Sequence, residues 1–200
     1  MKQEIRNVIE MTWPTLIIVV SIVAILRLTY FFKSERKRVI LHEEIFDLLF
    51  LVYLIILWQL VTGQDLNVSG GTNFVPFREI LRYDYGTLSF YKQVFGNILL
   101  FVPLGYFATS YCKIKNLGVI TIVSLLSSSV IEVVQHFIGR SFDIDDIILN
   151  VVGGIVGFLL YTGLNAIKNH LPSFMQKNWI YNILSVILVI LIVIYLIKIL

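Results

Sequence analysis

Residues 132–150 concentrate polar side chains that could perform acid–base chemistry or bind an anion. Glu132, Gln135 and His136 are spaced i, i+3 and i+4, so they share one face if this stretch is a helix. Arg140 lies in the turn that follows. Together these residues can accept a proton, donate hydrogen bonds and hold an anionic group.

Three aspartates follow this turn: Asp143, Asp145 and Asp146. Asp143 or Asp145 can cap the next helix, because a carboxylate satisfies free amides at a helix N-terminus and meets the positive end of the helix dipole. Asp146 and Asn150 are spaced i, i+4 and share a face of that helix. Since the turn is short, the two helices must pack together and their polar faces must meet.

The polar window from 132 to 150 permits three interpretations. In the first, Glu132 or His136 accepts a proton and Arg140 holds an anionic group, as in acid–base catalysis. In the second, amides and carboxylates recognise a polar headgroup or a peptide, with Arg140 on a phosphate or carboxylate. In the third, Arg140 pairs with an acid only to build the hairpin, since such pairs also set helix register.

Metal, cofactor and nucleophile sites are not predicted. The spacing matches no metal motif such as H-E-x-x-H, and one cysteine, Cys112, cannot form a cysteine cluster. The sequence has no G-x-S-x-G elbow, no phosphate-binding glycine loop and no dinucleotide fingerprint. Ser128, one turn before Glu132, has the position of a packing serine rather than a nucleophile.

The elements that must position these residues are membrane helices. Of the 200 residues, 58% are hydrophobic and 14% are charged, whereas soluble domains carry about 25% charge. Each of six apolar stretches is long enough to cross a bilayer. We therefore predict an all-α fold, a polytopic bundle of about six transmembrane helices in the cell membrane. The predicted spans run near 13–32, 45–63, 94–111, 117–138, 146–167 and 179–197.

The chain divides into three predicted parts. Residues 1–39 form an N-terminal transmembrane helix with a basic cytoplasmic loop, 40–167 form a helical membrane core, and 168–200 form a C-terminal transmembrane helix. Within the core, the mixed polar and apolar stretch 64–92 is typical of a segment that lies at the membrane surface, with a short helix after Pro76.

Small residues predict close helix packing in this core. Gly153, Gly154 and Gly157 lie on the fifth predicted span, and the first and last of them form a G-x-x-x-G pair. Gly105 in the third span marks a kink or a close contact deeper in the membrane. Asn97, near one end of the same span, could join the polar window.

The orientation follows from the basic loop that contains Lys33, Arg36, Lys37 and Arg38. Basic loops favour the cytoplasm. Alternation of the spans then places the polar window on the extracytoplasmic side.

Several strings, in this order along the chain, resemble the motifs of the VanZ-like family. They are Asn73-Phe-Val-Pro76-Phe77, Asn97-Ile-Leu-Leu-Phe-Val-Pro-Leu-Gly105, Glu132-Val-Val-Gln135, Arg140-Ser-Phe-Asp143-Ile-Asp145-Asp146 and Asn150-Val-Val-Gly-Gly154. The resemblance covers about residues 40–165. The family consists of membrane proteins associated with teicoplanin resistance in Gram-positive bacteria.

The resemblance implies a role in antibiotic resistance, because teicoplanin-type glycopeptides act on cell-wall precursors outside the membrane. We expect a protein that engages a lipid-linked precursor or a lipid headgroup through the polar window. The alternatives are an intramembrane enzyme that modifies such a headgroup and a structural or partner-binding membrane module. The expected partners are the bilayer and that ligand, without nucleic acid, since a dense basic face is missing. The candidate ligand-binding residues are Asn97, Glu132, Gln135, His136, Arg140, Asp143, Asp146 and Asn150.

A cysteine at position 34, inside the basic loop, tests this orientation. In a background without Cys112, Ser34→Cys should resist a membrane-impermeant maleimide in intact cells and react after the membrane is permeabilised. Labelling from outside intact cells would reverse the orientation and place the polar window in the cytoplasm.

Overall fold

The structure, a computed structural model, describes residues 40–62 and 71–199. These residues form five long helices, two strands of two residues each and one 3-10 helix. The helices are α1 Leu41–Thr62, α2 Leu88–Cys112, α3 Leu117–Phe137, α4 Ile144–His170 and α5 Asn178–Ile199. The strands are β1 Thr72–Asn73 and β2 Phe142–Asp143, and the 3-10 helix is Ile80–Arg82.

All five helices contain a stretch that is long and apolar enough to cross a membrane. They match five of the six predicted spans, so the prediction of a helical membrane bundle is confirmed for the described part of the chain. The remaining predicted span, 13–32, lies outside the described residues, as does the basic loop. The total of about six spans therefore stays a prediction.

Local capping explains where the central helices begin. α2 starts earlier than its apolar stretch, because the Thr87 side chain accepts a hydrogen bond from the Phe90 amide at 3.2 Å. At the start of α3, the Asn116 side chain accepts from the Gly118 amide at 2.7 Å. Both caps satisfy amides that have no partner within the helix.

The chain divides into two compact units. The first contains residues 61–168, with α2, α3, α4 and both strands. The second contains, among the described residues, 40–60 and 169–199. Within the second unit, the Asn182 side-chain oxygen accepts from the His42 amide at 3.0 Å and lies 2.9 Å from His42 Nδ1. The predicted three-part division of the chain remains a prediction.

A short parallel strand pair joins the polar stretch before α2 to the turn before α4. Asn73 of β1 lies opposite Asp143 of β2, and the Phe74 and Phe142 rings are 5.2 Å apart. Strands of two residues are too short to show an alternating pattern of apolar and polar residues, so the sequence predicts helices alone. The short helix expected after Pro76 is a turn that leads into the 3-10 helix.

The backbones of α2 and α4 approach as closely as glycine permits. A Cβ atom added at Gly105 would lie 2.1 Å from the Gly154 carbonyl oxygen, and one added at Gly157 would lie 2.2 Å from the Val102 carbonyl oxygen. Gly153 faces α2 in the same way. No side chain fits at these positions, so dispersion between the two backbones replaces side-chain packing.

α3 completes this unit with its polar side turned inward. Its buried residues are spaced four apart: Ile120, Ser124, Ser128 and Glu132. A Cβ atom added at Gly154 would lie 1.9 Å from Ser124 Oγ. The small serines thus admit α4 while the larger apolar residues of α3 remain on the outside, as expected for a helix surrounded by lipid.

Two glycines of α4 provide a matched test of this packing. Gly157→Ala should destabilise the protein by about 1–3 kcal/mol, because the new methyl group overlaps the α2 backbone. Gly163→Ala should be neutral or stabilising by up to about 1 kcal/mol, since the position is open and alanine favours a helix. Thermal unfolding in detergent, followed by circular dichroism, measures both. Equal stability of the two variants would contradict the close contact between α2 and α4.

Candidate functional site

The carboxylate of Asp145 is fully buried, with 0% of the residue exposed. Its Oδ1 accepts a hydrogen bond from the Phe77 amide at 2.5 Å. Its Oδ2 accepts from the amides of Glu79 at 2.8 Å and Ile80 at 3.2 Å. Three backbone donors thus replace the water that a carboxylate loses on burial. Asp145 thereby attaches the turn before the 3-10 helix to the start of α4.

Asp143, rather than Asp145, caps α4. Its Oδ1 accepts from the Asp145 amide at 2.9 Å and from Asn73 Nδ2 at 3.0 Å. Asn73 Oδ1 in turn accepts from the Val75 amide at 3.1 Å. Burial raises the pKa of the Asp143 carboxyl above its ordinary value, while the hydrogen bonds from Asp145 and Asn73 oppose this rise. The cap therefore also holds β1 in place.

Glu132 supports the same region from α3 and is 1% exposed. Its Oε2 accepts from the Asp143 amide at 2.9 Å. With the Gln135 amide turned so that its nitrogen faces Glu132, this nitrogen donates to Glu132 Oε1 at 3.1 Å. The Gln135 oxygen then accepts from Arg140 Nη1 at 3.1 Å. A continuous series of hydrogen bonds therefore runs from Arg140 to the cap of α4.

Asp146 connects α4 to α2. Its Oδ1 accepts from Gln93 Nε2 at 2.7 Å and from Asn97 Nδ2 at 2.5 Å. Arg140 interacts electrostatically with both Asp146 and Glu132. The structure thus places Asn97 in the cluster from α2, together with a residue of the same helix face, Gln93.

Asn150 lies one helical turn beyond Asp146 and contacts a different residue. Its Nδ2 donates to Ser128 Oγ at 2.9 Å in the buried interface of α3 and α4. Asn150 Oδ1 and Ser124 Oγ are buried without a hydrogen-bond partner among the described residues. Ser128 is therefore a hydrogen-bonding contact between the two helices.

His136 lies apart from these contacts. It is exposed, and within 40–62 and 71–199 its side chain has no hydrogen bond, ion pair or ring contact. The i, i+4 spacing to Glu132 places the two on neighbouring parts of the helix surface. Of the two, only Glu132 is buried and accepts a hydrogen bond from the turn before α4.

Apart from His136 and Asn150, the polar residues described above divide into two groups with different surroundings. Glu132, Asp143 and Asp145, here called the inner carboxylates, are buried and accept hydrogen bonds from backbone amides. The second group, here called the outer polar group, is only half-buried and uses side-chain contacts. Its members are Gln93, Asn97, Gln135, Arg140 and Asp146.

The outer polar group offers one guanidinium, one carboxylate and three amides to a ligand. A guanidinium binds phosphate or carboxylate oxygens with two parallel hydrogen bonds, and the amides supply both donors and acceptors. Among the described residues, no group of three or more His, Cys, Asp or Glu is arranged to hold a metal ion. Recognition of a polar, partly anionic group is the chemistry that this arrangement suits.

The sequence alone did not identify Gln93 and Asn73 as members of the cluster, and it indicated only part of the role of Asp145. Gln93 could have been found, because it lies one turn before Asn97 on the same helix face. Asn73 could not, since its contact with Asp143 spans 70 residues and has no local pattern. The sequence indicates Asp145 only as a helix cap, whereas in the structure its carboxylate binds backbone amides of a turn that is far away in the chain.

The comparisons with known proteins agree with the motif resemblance. A protein-family model described as VanZ/LLP1 matches residues 44–168. This match confirms the prediction of a VanZ-like family. The matched range contains all the inner carboxylates and the whole outer polar group. No characterised protein and no solved structure matched the chain.

Asp145→Asn tests the structural role of the buried carboxylate. We expect a loss of about 2–4 kcal/mol in unfolding free energy, because charged hydrogen bonds to three amides are weakened and the new NH2 group opposes the donors. Asp84→Asn, an exposed change before α2, should stay within about 0.5 kcal/mol of the native protein. Thermal unfolding of both variants in the same detergent measures the difference, and an Asp145 variant as stable as the Asp84 variant would contradict the attachment.

Proposed function

Because the chain belongs to the VanZ/LLP1 family, we propose that it modulates susceptibility to teicoplanin-type glycopeptides. In this proposal, the outer polar group binds a lipid headgroup or a lipid-linked cell-wall precursor on the extracytoplasmic side of the cell membrane. Occupation or rearrangement of such groups at the surface changes how a lipophilic glycopeptide meets its target.

The difference in accessibility between the two polar groups carries this proposal. The inner carboxylates are buried and already accept hydrogen bonds from backbone amides. The outer polar group remains half-buried, with Arg140 beside Asp146. A headgroup phosphate suits Arg140, and hydroxyl or amide groups of the same ligand suit Asn97 and Asp146.

The position of the outer polar group along the helices also supports a headgroup ligand. Gln93 and Asn97 lie in the first turns of α2, and Asp146 lies in the first turn of α4. Gln135 lies in the last turn of α3. These are the ends of three candidate membrane spans, and headgroups lie where spans leave the hydrocarbon region.

The burial of Glu132 favours binding over proton transfer. A general base needs to reach the proton that it removes, yet Glu132 is 1% exposed and already accepts from the Asp143 amide. The other candidate base, His136, is exposed and stands apart from Arg140. Catalysis is therefore not the function that this geometry supports best.

Two charge-removing changes in the outer polar group test the proposal. In a susceptible Gram-positive host that produces the chain, Asp146→Asn and Arg140→Gln should each return teicoplanin susceptibility to the level of the empty vector. Asparagine keeps the shape of Asp146 and an acceptor oxygen, and glutamine keeps an N–H donor at position 140, so the amount of protein in the membrane should remain similar. Asp84→Asn is the matched control for removal of an exposed charge. Full protection by both outer variants at equal protein amounts would refute the proposal.

Glu132→Gln separates binding from catalysis. Glutamine can still accept the hydrogen bond from the Asp143 amide, so we expect protection per folded molecule to persist. The minimum inhibitory concentration of teicoplanin, normalised to folded protein measured by fluorescence-detected gel filtration, gives the answer. Loss of protection at an unchanged folded amount would instead indicate proton transfer at Glu132.

A further inference from the structure

We propose that residues 74–91, here called the interfacial segment, insert apolar side chains into the lipid leaflet while Arg78 binds a lipid phosphate. This surface is distinct from the outer polar group, and the inference does not depend on the proposed function. The ligand class is a phospholipid of the surrounding leaflet.

The interfacial segment exposes an unusual amount of apolar surface. Leu81 is 80% exposed and Tyr85 is 86% exposed, while Phe74, Phe77 and Leu88 are each more than half exposed. A surface loop of a soluble protein rarely presents such a contiguous apolar patch, and one that does so marks an interaction site.

This exposure belongs to a segment that is firmly attached to the protein. Asp145 binds three of its amides, and the strand pair holds its start. Phe77 has a φ of 67°, a left-handed conformation that is unfavourable for a bulky residue. In this conformation the Phe77 amide donates to the buried Asp145 while the ring stays exposed. The fold therefore stabilises an unfavourable backbone conformation at Phe77, and this conformation leaves the aromatic ring exposed.

The position of the segment identifies lipid as its occupant. It includes the first turn of α2 and follows β1, whose partner strand β2 leads directly into α4, so it lies at the ends of two candidate membrane spans. Tyr91, Phe95 and Leu99 of α2 are exposed as well, and a series of ring contacts connects Tyr85 through Phe90 and Tyr91 to Phe95. Aromatic residues next to arginines are typical of the boundary between hydrocarbon and headgroups.

Arg78 supplies the polar half of this contact. It is exposed, and its guanidinium has no hydrogen bond or ion pair with any residue of the described ranges. Arg82, the other arginine of the segment, already pairs with Glu79 at 3.2 Å. Arg78 directly follows Phe77, so an inserted ring would bring the guanidinium to the level of the phosphates, which it can bind with two hydrogen bonds.

Site-directed fluorescence in vesicles tests the insertion. The full chain, with Cys112 replaced by alanine, carries an environment-sensitive label on Phe77→Cys, on Phe74→Cys or on the control Asp84→Cys. It is reconstituted into phosphatidylcholine–phosphatidylglycerol vesicles whose acyl chains are brominated near the headgroup. Labels at 74 and 77 should be quenched by the brominated lipid and shielded from iodide, and the label at 84 should show the reverse.

If iodide quenches the labels at positions 77 and 84 equally, in protein that has not aggregated, the proposed insertion is overturned. Shielding of position 77 in intact cells, but not in vesicles that contain only this protein and lipid, would also overturn it and would indicate a protein occupant. Because position 74 reports on the same surface, the test remains decisive if the variant at 77 fails to fold.

Two arginine variants test the phosphate contact. Arg78→Gln should reduce lipid quenching of the label at position 74 several-fold, whereas Arg82→Gln should leave it near the native level. Equal effects of both variants would refute a specific role for Arg78. If the Asp146→Asn variant loses teicoplanin protection while the label at position 74 is still quenched normally by lipid, insertion and the proposed function are separate properties.

Discussion

The hydrogen bonds between the Asp145 carboxylate and three backbone amides are the interaction on which this end of the protein depends. A buried carboxylate without partners would cost several kcal/mol, so the turn that contains Phe77 cannot leave α4 without exposing or neutralising that charge. The strand pair, the Asp143 cap and Glu132 extend this attachment. The result is a loop whose backbone is held by several separate hydrogen bonds.

The difference between the inner carboxylates and the outer polar group explains how so many acidic residues can lie together next to lipid. Glu132, Asp143 and Asp145 are satisfied mainly by the protein backbone, so they do not require one cation each. Arg140 is therefore shared between Glu132 and Asp146 at the edge of the group. The buried acids stabilise the structure, and under the proposed function the half-buried residues around Arg140 bind the ligand.

The helices and most of the cluster could be predicted from the sequence, because both depend on local signals. Apolar stretches define spans, and i, i+4 spacing places Asp146 and Asn150 on one face of α4. The roles of Asp145 and Asn73 could not be predicted, since their partners lie far away in the chain. His136 shows the limit of such spacing: it lies one helical turn after Glu132, yet it is exposed whereas Glu132 is buried.

The inward polar face of α3 has a consequence for how the protein is made. A lone α3 would be inserted with the Glu132 acid unpartnered, at a penalty that reaches about 2.5–3.5 kcal/mol for a charged residue at a helix centre and is smaller near the helix end. The hydrogen bond between Ser128 and Asn150 and the serine–glycine contact at Gly154 form only when α3 and α4 are side by side. Biogenesis therefore favours release of these two helices from the insertion machinery as one hairpin, with α2 joining through its glycine contacts.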